Sequence, residues 1–231
     1  MSNAEVRSDG LDQSDLVRLF TQRTESYGRF IRGVLYPQGI RAFFMAASDL
    51  APARVLDAGC GTGVVTLALR DALIRRGLTP TSMHAFDLTP AMLSRFRRTI
   101  EERGIHGIEL AQADVLDLAG LPRPWKDYDL VVSASMLEYV PRERLSAALS
   151  GLRTLLRPEG RFVLFMTRRN WLMRPLIGRW WRGHLYKAEE LEHALKAAGY
   201  RCVSFRRFPV LFQHLNLWGH VVEARASLPA N

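Results

Sequence analysis

At 231 residues, 48% apolar and 24% charged, the chain is long enough for one α/β domain with its own core and has the composition of a soluble globular protein. No apolar run approaches the roughly 20 residues that span a bilayer, and the acidic start (Glu5, Asp9, Asp12, Asp15) carries no apolar h-region, which argues against a secretory signal. The net charge of +9 favours anionic partners such as nucleic acid, acidic lipid headgroups or anionic substrates, although a base-biased genome would also load a chain with arginine, and only Lys126, Lys187 and Lys196 are lysine.

No linker-like or repeated stretch divides the chain. The expected organisation is a loosely ordered N-terminus over residues 1–13 and one domain over 14–231. Within it, residues 14–50 form an N-terminal helical lid, and residues 168–186 a basic, aromatic insertion. Cys60 and Cys202 lie in no ligand pattern, so neither a metal site nor a disulfide is expected, and a reducing cytosol is the natural compartment.

In chain order, residues 53–58 (ARVLDA) read as a short buried strand followed by a glycine loop, and residues 64–76 as a helix stopped by Gly77. Residues 81–86 form a second strand ending at Asp87. Thr89-Pro90 opens a helix that ends at Gly104, with threonine as N-cap and proline at the first helical position. Residues 107–113 are a third strand ending at Asp114, and 128–133 (YDLVVS) a fourth, with the solid apolar run of a strand covered on both faces. A helix from Pro141 to Leu156 is broken by Pro158-Glu159-Gly160. Strand 161–167, helix 188–198 and strands 200–206 and 217–225 complete the pattern. Alternating strands and helices imply a doubly wound, mostly parallel sheet, whose ligands bind beyond the carboxyl ends of the strands. Asp57 with its loop, Asp87, Asp114 and Ser133 all fall there.

Gly59-Cys60-Gly61-Thr62-Gly63 lets backbone approach a ligand closely. A dinucleotide is the first alternative to weigh. Two features oppose it: the third glycine falls one residue early for GxGxxG, and Asp57 stands where a diphosphate would meet a like charge. A ligand bearing an ammonium and a sulfonium would be attracted instead. Asp87 suits a ribose diol and Asp114 an adenine amino group; their plainer roles are a loop acid and a turn former. Cys60 reads as a small packing residue rather than a nucleophile.

The ordered set VLDAGCGTG, AFDLTPAML, QADVLDL, YDLVVSASMLEYV and LRPEGRFVLF resembles class I S-adenosylmethionine-dependent methyltransferases over roughly residues 50–205. The resemblance implies a Rossmann-like seven-stranded sheet with an antiparallel last strand, and S-adenosylmethionine as cofactor. It places Asp57, Gly59, Cys60, Gly61 and Gly63 in the loop at the methionine part, Asp87 at the ribose flanked by Leu88 and Met92, Asp114 and Val115 at the adenine, and Ser133 and Ala134 near the methyl group.

Methyl transfer from a sulfonium needs positioning more than acid–base chemistry. Acceptor-facing candidates are Met136, Glu138 and Tyr139 after the fourth strand, and His184 and Tyr186 before the helix at 188. Glu138 can steer a cationic amine or take a proton, or simply form a surface salt bridge; His184 can equally be a packing residue. Tyr27 is a lid candidate for contact with the cofactor, against ordinary helix packing. Residues 168–182 (RRNWLMRPLIGRWWR) interleave arginine with apolar residues recurring every four positions. They suit a substrate lid, a membrane interface or nucleic-acid contact. SASM at 133–136 departs from the acidic-or-Asn, Pro-Pro-aromatic pattern that grips a flipped base, so nucleic acid is disfavoured. The expected activity is methylation of a small-molecule or lipid-like acceptor. The alternatives are a phospholipid or quinone acceptor met at the membrane surface, with peripheral attachment, and a cofactor-binding regulator without turnover.

Overall fold

A computed structural model of the chain describes residues 33–171 and 183–227, together with Arg18. Helix α1 (Tyr36–Ala46) is followed by β1 (Arg54–Ala58), α2 (Val64–Arg75), β2 (Ser82–Asp87), α3 (Pro90–Glu102) and β3 (Ile108–Gln112). Then come β4 (Tyr128–Ala134), α4 (Leu145–Thr154), β5 (Leu156–Thr167), α5 (Ala188–Ala197), β6 (Arg201–Arg206), the single turn α6 (Leu215–Trp218) and β7 (Gly219–Arg225). The sheet order is β3-β2-β1-β4-β5-β7-β6. Pairings within β3-β2-β1-β4-β5 are parallel, and β7 runs antiparallel to both neighbours. This is the doubly wound sheet with an antiparallel last strand that the alternation and the resemblance implied.

Side-chain alternation splits the core into two layers. Leu56, Val131, Phe162, Leu164 and Val222 point to the face covered by α4 and α5. Val55, Leu130, Val132, Val163 and Phe165 point to the face covered by α1 and α2. Strands sandwiched in this way have no polar face, which is why β4 reads as an unbroken apolar run. On α1, Phe43 packs edge-on against Phe44 and Phe165, at 5.1 and 5.4 Å between ring centres.

Three boundaries differ from expectation. Arg142–Arg144 forms a separate 3-10 turn before α4 begins at Leu145. Pro158-Glu159-Gly160 does not separate helix from strand; it lies inside β5. There Tyr128 pairs with Leu156 and Leu130 with Arg161, so β5 inserts extra residues as a bulge, with Glu159 at φ 64°. A proline is tolerated there because the bulge leaves its position outside the ladder. Finally, Leu217 and Trp218 coil into α6, and β7 starts at Gly219. Of the expected 14–50 lid, only Arg18 and α1 with its flanks fall among the described residues. Tyr27 and residues 172–182 lie outside them.

Candidate active site

The first crossover diverges from the second at β1, whose neighbours are β2 on one side and β4 on the other. A crevice opens there, at the carboxyl ends of the strands. It is a cavity of about 400 Å³ with Gly59, Cys60 and Gly61 on one wall, Asp87, Leu88 and Met92 on the next, and Asp114 and Val115 beyond them. Ala134, Met136 and Tyr139 close the side after β4. Four strand ends that the sequence placed at a common site therefore meet.

The loop is built from the strand end outward. Gly59 and Cys60 both donate their N–H to the carbonyl of Phe86 at 2.9 Å, folding the loop over the end of β2. Gly61 takes φ 53° and Gly63 φ 83°, conformations that a side chain resists. The two do different work. A Cβ on Gly63 would lie 2.1 Å from the Phe96 ring of α3, so this glycine lets loop and helix touch. A Cβ on Gly61 would meet nothing within 4 Å, and this glycine borders the cavity.

Asp87 ties the loop to β2. Its Oδ2 accepts the Gly61 N–H and its Oδ1 the Thr89 N–H, each at 2.8 Å. Each carboxylate oxygen retains a second lone pair, so a diol can still be accepted. Burial holds the Asp87 carboxyl above its ordinary range. Asp114 caps its own turn, accepting the Leu116 N–H at 2.9 Å, and also borders the cavity. The turn role and the cavity position coexist.

Asp57 is placed differently. It is only 1% exposed and lies behind the loop rather than on the cavity wall. Its Oδ2 accepts the Thr66 hydroxyl at 2.6 Å, while Oδ1 is buried without a hydrogen-bond partner. Burial pushes the carboxyl up to about 7; the Thr66 hydrogen bond opposes this and the nearby Asp87 adds to it. Ser133 is fully buried, with its hydroxyl unpartnered, and Gly63 is likewise off the wall. The Cys60 thiol is pushed up by burial and by both carboxylates, which suits packing and not nucleophilic attack.

The acceptor-side candidates do not all converge. Tyr139 lines the cavity. Glu138 does not: it is 2% exposed, its Oε2 accepts the Thr167 N–H at 3.0 Å, and its backbone carbonyl accepts the His184 N–H at 2.6 Å. Neither a free surface salt bridge nor a carboxylate facing the cavity describes it; it laces the end of β5 to the segment before α5. His184 is half-buried and off the cavity wall, its basicity lowered by burial and by Arg142. Tyr186 packs under the Arg142 guanidinium, 4.4 Å from the ring centre, and burial pushes its hydroxyl up to about 12. Lining residues outside the candidate site set include Tyr36, Thr62, Phe86, Ser135 and Val140. Ser135 stands at φ 53° directly after β4, a strained backbone that no residue type had announced.

The Methyltransferase domain family model matches residues 55–160, the stretch that contains the glycine loop, both strand-end acids and β4. The match spans 106 of the 231 residues. Among curated relatives, the malonyl-[acyl-carrier protein] O-methyltransferase of Halorhodospira halophila is 36% identical over 129 residues, covering 56% of this chain and 39% of that one. A non-reducing polyketide synthase of Penicillium shearii is 30% identical over 188 residues, covering 77% of this chain and 8% of the synthase. The chain thus spans less than half the length of both. Among solved structures, magnesium protoporphyrin IX methyltransferase from Synechocystis PCC 6803, with bound SAH, superimposes with a TM-score of 0.68 at 18% identity, covering 93% of this chain and 99% of that one. At that identity the likeness supports the fold, and the fold is a methyltransferase fold.

Proposed function

We propose that the protein transfers the methyl group of S-adenosylmethionine to a small-molecule or lipid-like acceptor. The observation that carries this reading is the cavity wall that Gly61 without a side chain, Asp87 with its remaining acceptor capacity, and Asp114 form together. This set accepts hydrogen bonds from a ribose diol and an adenine amino group, and it carries negative charge where a diphosphate would be repelled. The orphaned Oδ1 of Asp57 points the same way: a buried carboxylate oxygen without a donor, behind the loop, favours positive charge in the ligand nearby. A volume of about 400 Å³ lies within the usual range of small-molecule sites, about 300–1,000 Å³.

When bound, the cofactor supplies a methyl group on a sulfonium, already activated for in-line displacement. The residues of the chain then position and shield. Ala134, Met136 and Tyr139 offer an apolar wall after β4 that excludes water from the reacting atoms. That wall, with Val140 and Pro141 beyond it, favours an acceptor with a large apolar body, in which class phospholipids and quinones also fall.

Isothermal calorimetry tests the reading. S-adenosylmethionine and its homocysteine product should bind, and Asp87→Ala should abolish or sharply weaken both. Binding of NADH without either of them would overturn it. Methyl release to an acceptor pool separates an enzyme from a cofactor-binding regulator.

A further inference from the structure

The cavity accounts for the glycine loop and the strand-end acids but leaves another feature of the same sheet edge unexplained. Among the described residues, the most exposed large apolar side chains are Trp171 at 83%, Val210 at 82%, Leu211 at 81% and Leu217 at 61%. Scattered singly, such residues mean little. These are gathered. Val210 and Leu211 form the 3-10 turn that follows β6, and Leu217 sits in α6 one turn on. Trp171 is held to the same place, because the Asn170 side-chain amide donates to the Leu217 carbonyl at 2.6 Å and the Arg168 N–H to the Trp218 carbonyl at 2.9 Å.

Beside them lies a shallow cavity of about 740 Å³ whose wall includes Arg168, Arg206, Arg207, His214 and His220 and no carboxylate. Arg206 is engaged by Glu223 at 3.3 Å. No ion pair among the described residues engages Arg168 or Arg207. Unneutralised guanidinium groups next to protruding apolar side chains match the two layers of an anionic bilayer surface, phosphates outside and acyl chains beneath.

The register places this rim relative to the active site. Ala134 pairs with Phe165, Phe165 with Val221, and Val221 with Arg206. Arg206 and the cavity-lining Ala134 are therefore on one row, three strand spacings or about 15 Å apart, on the same edge of the sheet.

We propose that Arg168, Trp171, Arg207, Val210, Leu211 and Leu217 form a docking surface for an anionic lipid bilayer, holding the cofactor cavity's edge of the sheet toward the membrane. The side chains at 81 and 82% exposure stand out from the surface, as insertion requires, whereas a soluble anion would need only the arginines. The surface is independent of what the methyl acceptor is.

Co-sedimentation with vesicles tests it. The full chain should pellet with equal parts phosphatidylcholine and phosphatidylglycerol at low salt, and far less with phosphatidylcholine alone or at molar salt. Val210→Asp with Leu211→Asp should cut partitioning at least tenfold. Arg168→Gln and Arg207→Gln should each weaken it about fivefold. Calorimetric cofactor binding should be unchanged in all of these variants, which shows that they fold. Wild-type protein left in the supernatant with anionic vesicles overturns the proposal, as does a double aspartate variant that pellets like wild type. So does a wild-type dimer that the aspartates dissociate, since that assigns the patch to a second copy. A chain that binds vesicles but no S-adenosylmethionine would refute the enzymatic reading and leave this one standing.

Discussion

Lowering the pH from about 8 to about 6 should weaken S-adenosylmethionine binding roughly tenfold, with Asp57 as the cause. In the free protein this carboxyl is pushed up to about 7 by burial, so it is largely protonated at the lower pH and largely ionised at the higher. Its Oδ1 has no hydrogen-bond partner, and Thr66 alone, through its hydroxyl on Oδ2 and its backbone, stabilises the anion. A cationic ligand at the adjacent loop favours ionisation, so the bound form sheds the proton and binding must be coupled to its release. Where only the ionised form accepts the cationic ligand, the apparent affinity falls by about a factor of ten between the two pH values and levels off above neutrality. The same carboxyl burdens the free chain. Raised from an ordinary 3.8 to about 7, it costs the folded state roughly 4 kcal/mol once fully ionised, by about 1.4 kcal/mol for each tenfold. The sign follows from proton uptake: between those two values the folded chain binds more protons than the unfolded one, so this cost is absent below about pH 4, grows as pH rises, and is complete above about 7. Calorimetry in buffers of differing ionisation enthalpy should detect nearly one proton released per ligand at about pH 6, and Asp57→Asn should remove both the release and the pH dependence. Equal affinity at both pH values in wild type, or an unchanged profile in Asp57→Asn, would refute the reasoning.

The two glycines with different neighbours should respond differently to alanine. Gly63→Ala meets the Phe96 ring as well as backbone strain, about 1–2 kcal/mol for the latter and about 1–3 for the overpacking, so a clear fall in Tm is expected. Gly61→Ala carries only the backbone cost, and its larger effect should appear in calorimetric cofactor affinity, because the residue borders the cavity and its positive φ shapes the loop there. Glu138→Ala should lose about 1–3 kcal/mol in denaturant unfolding by leaving the Thr167 N–H unpaired, whereas Glu138→Gln, which still accepts that bond, should keep most of the stability; retained turnover in the glutamine variant would mark Glu138 as a positioning residue, and its selective loss a general base. Thiol labelling of the native chain should modify the exposed Cys202 and spare the buried Cys60, and Cys60→Ser should still bind cofactor.

The cofactor half of the site was legible because its requirements are chemical and local. A strand must end, a glycine must take positive φ, and an acid must stand at each strand end; each leaves a residue type at a set position. Asp57 shows the limit of that reading. Its identity and its place at the end of β1 could be read, but its burial behind the loop and its orphaned oxygen depend on Thr66, nine residues along on α2. The bulge in β5 was hidden for a related reason. Pro-Glu-Gly is a breaker in isolation, and only the pairing of Tyr128 with Leu156 recruits the residues before it into the sheet.

The acceptor half resisted because shape, not residue type, defines it. Glu138 has the chemistry of a base, yet the Thr167 N–H and the His184 backbone claim it for holding two chain segments together. Ser135 and Val140 carry no chemical signal and still line the cavity, one by a strained turn and the other by position. An apolar wall distinguishes acceptors by volume, and volume is a property of several segments at once: the start of α1, the end of β4 and the loop after it. That same wall explains why a sheet edge bearing cofactor chemistry at β1 and β2 and a basic, apolar rim at β6 is coherent. An acceptor that prefers the wall after β4 to water is one that a membrane-adsorbed enzyme would meet already concentrated, and the row from Ala134 to Arg206 sets the distance over which it would have to travel.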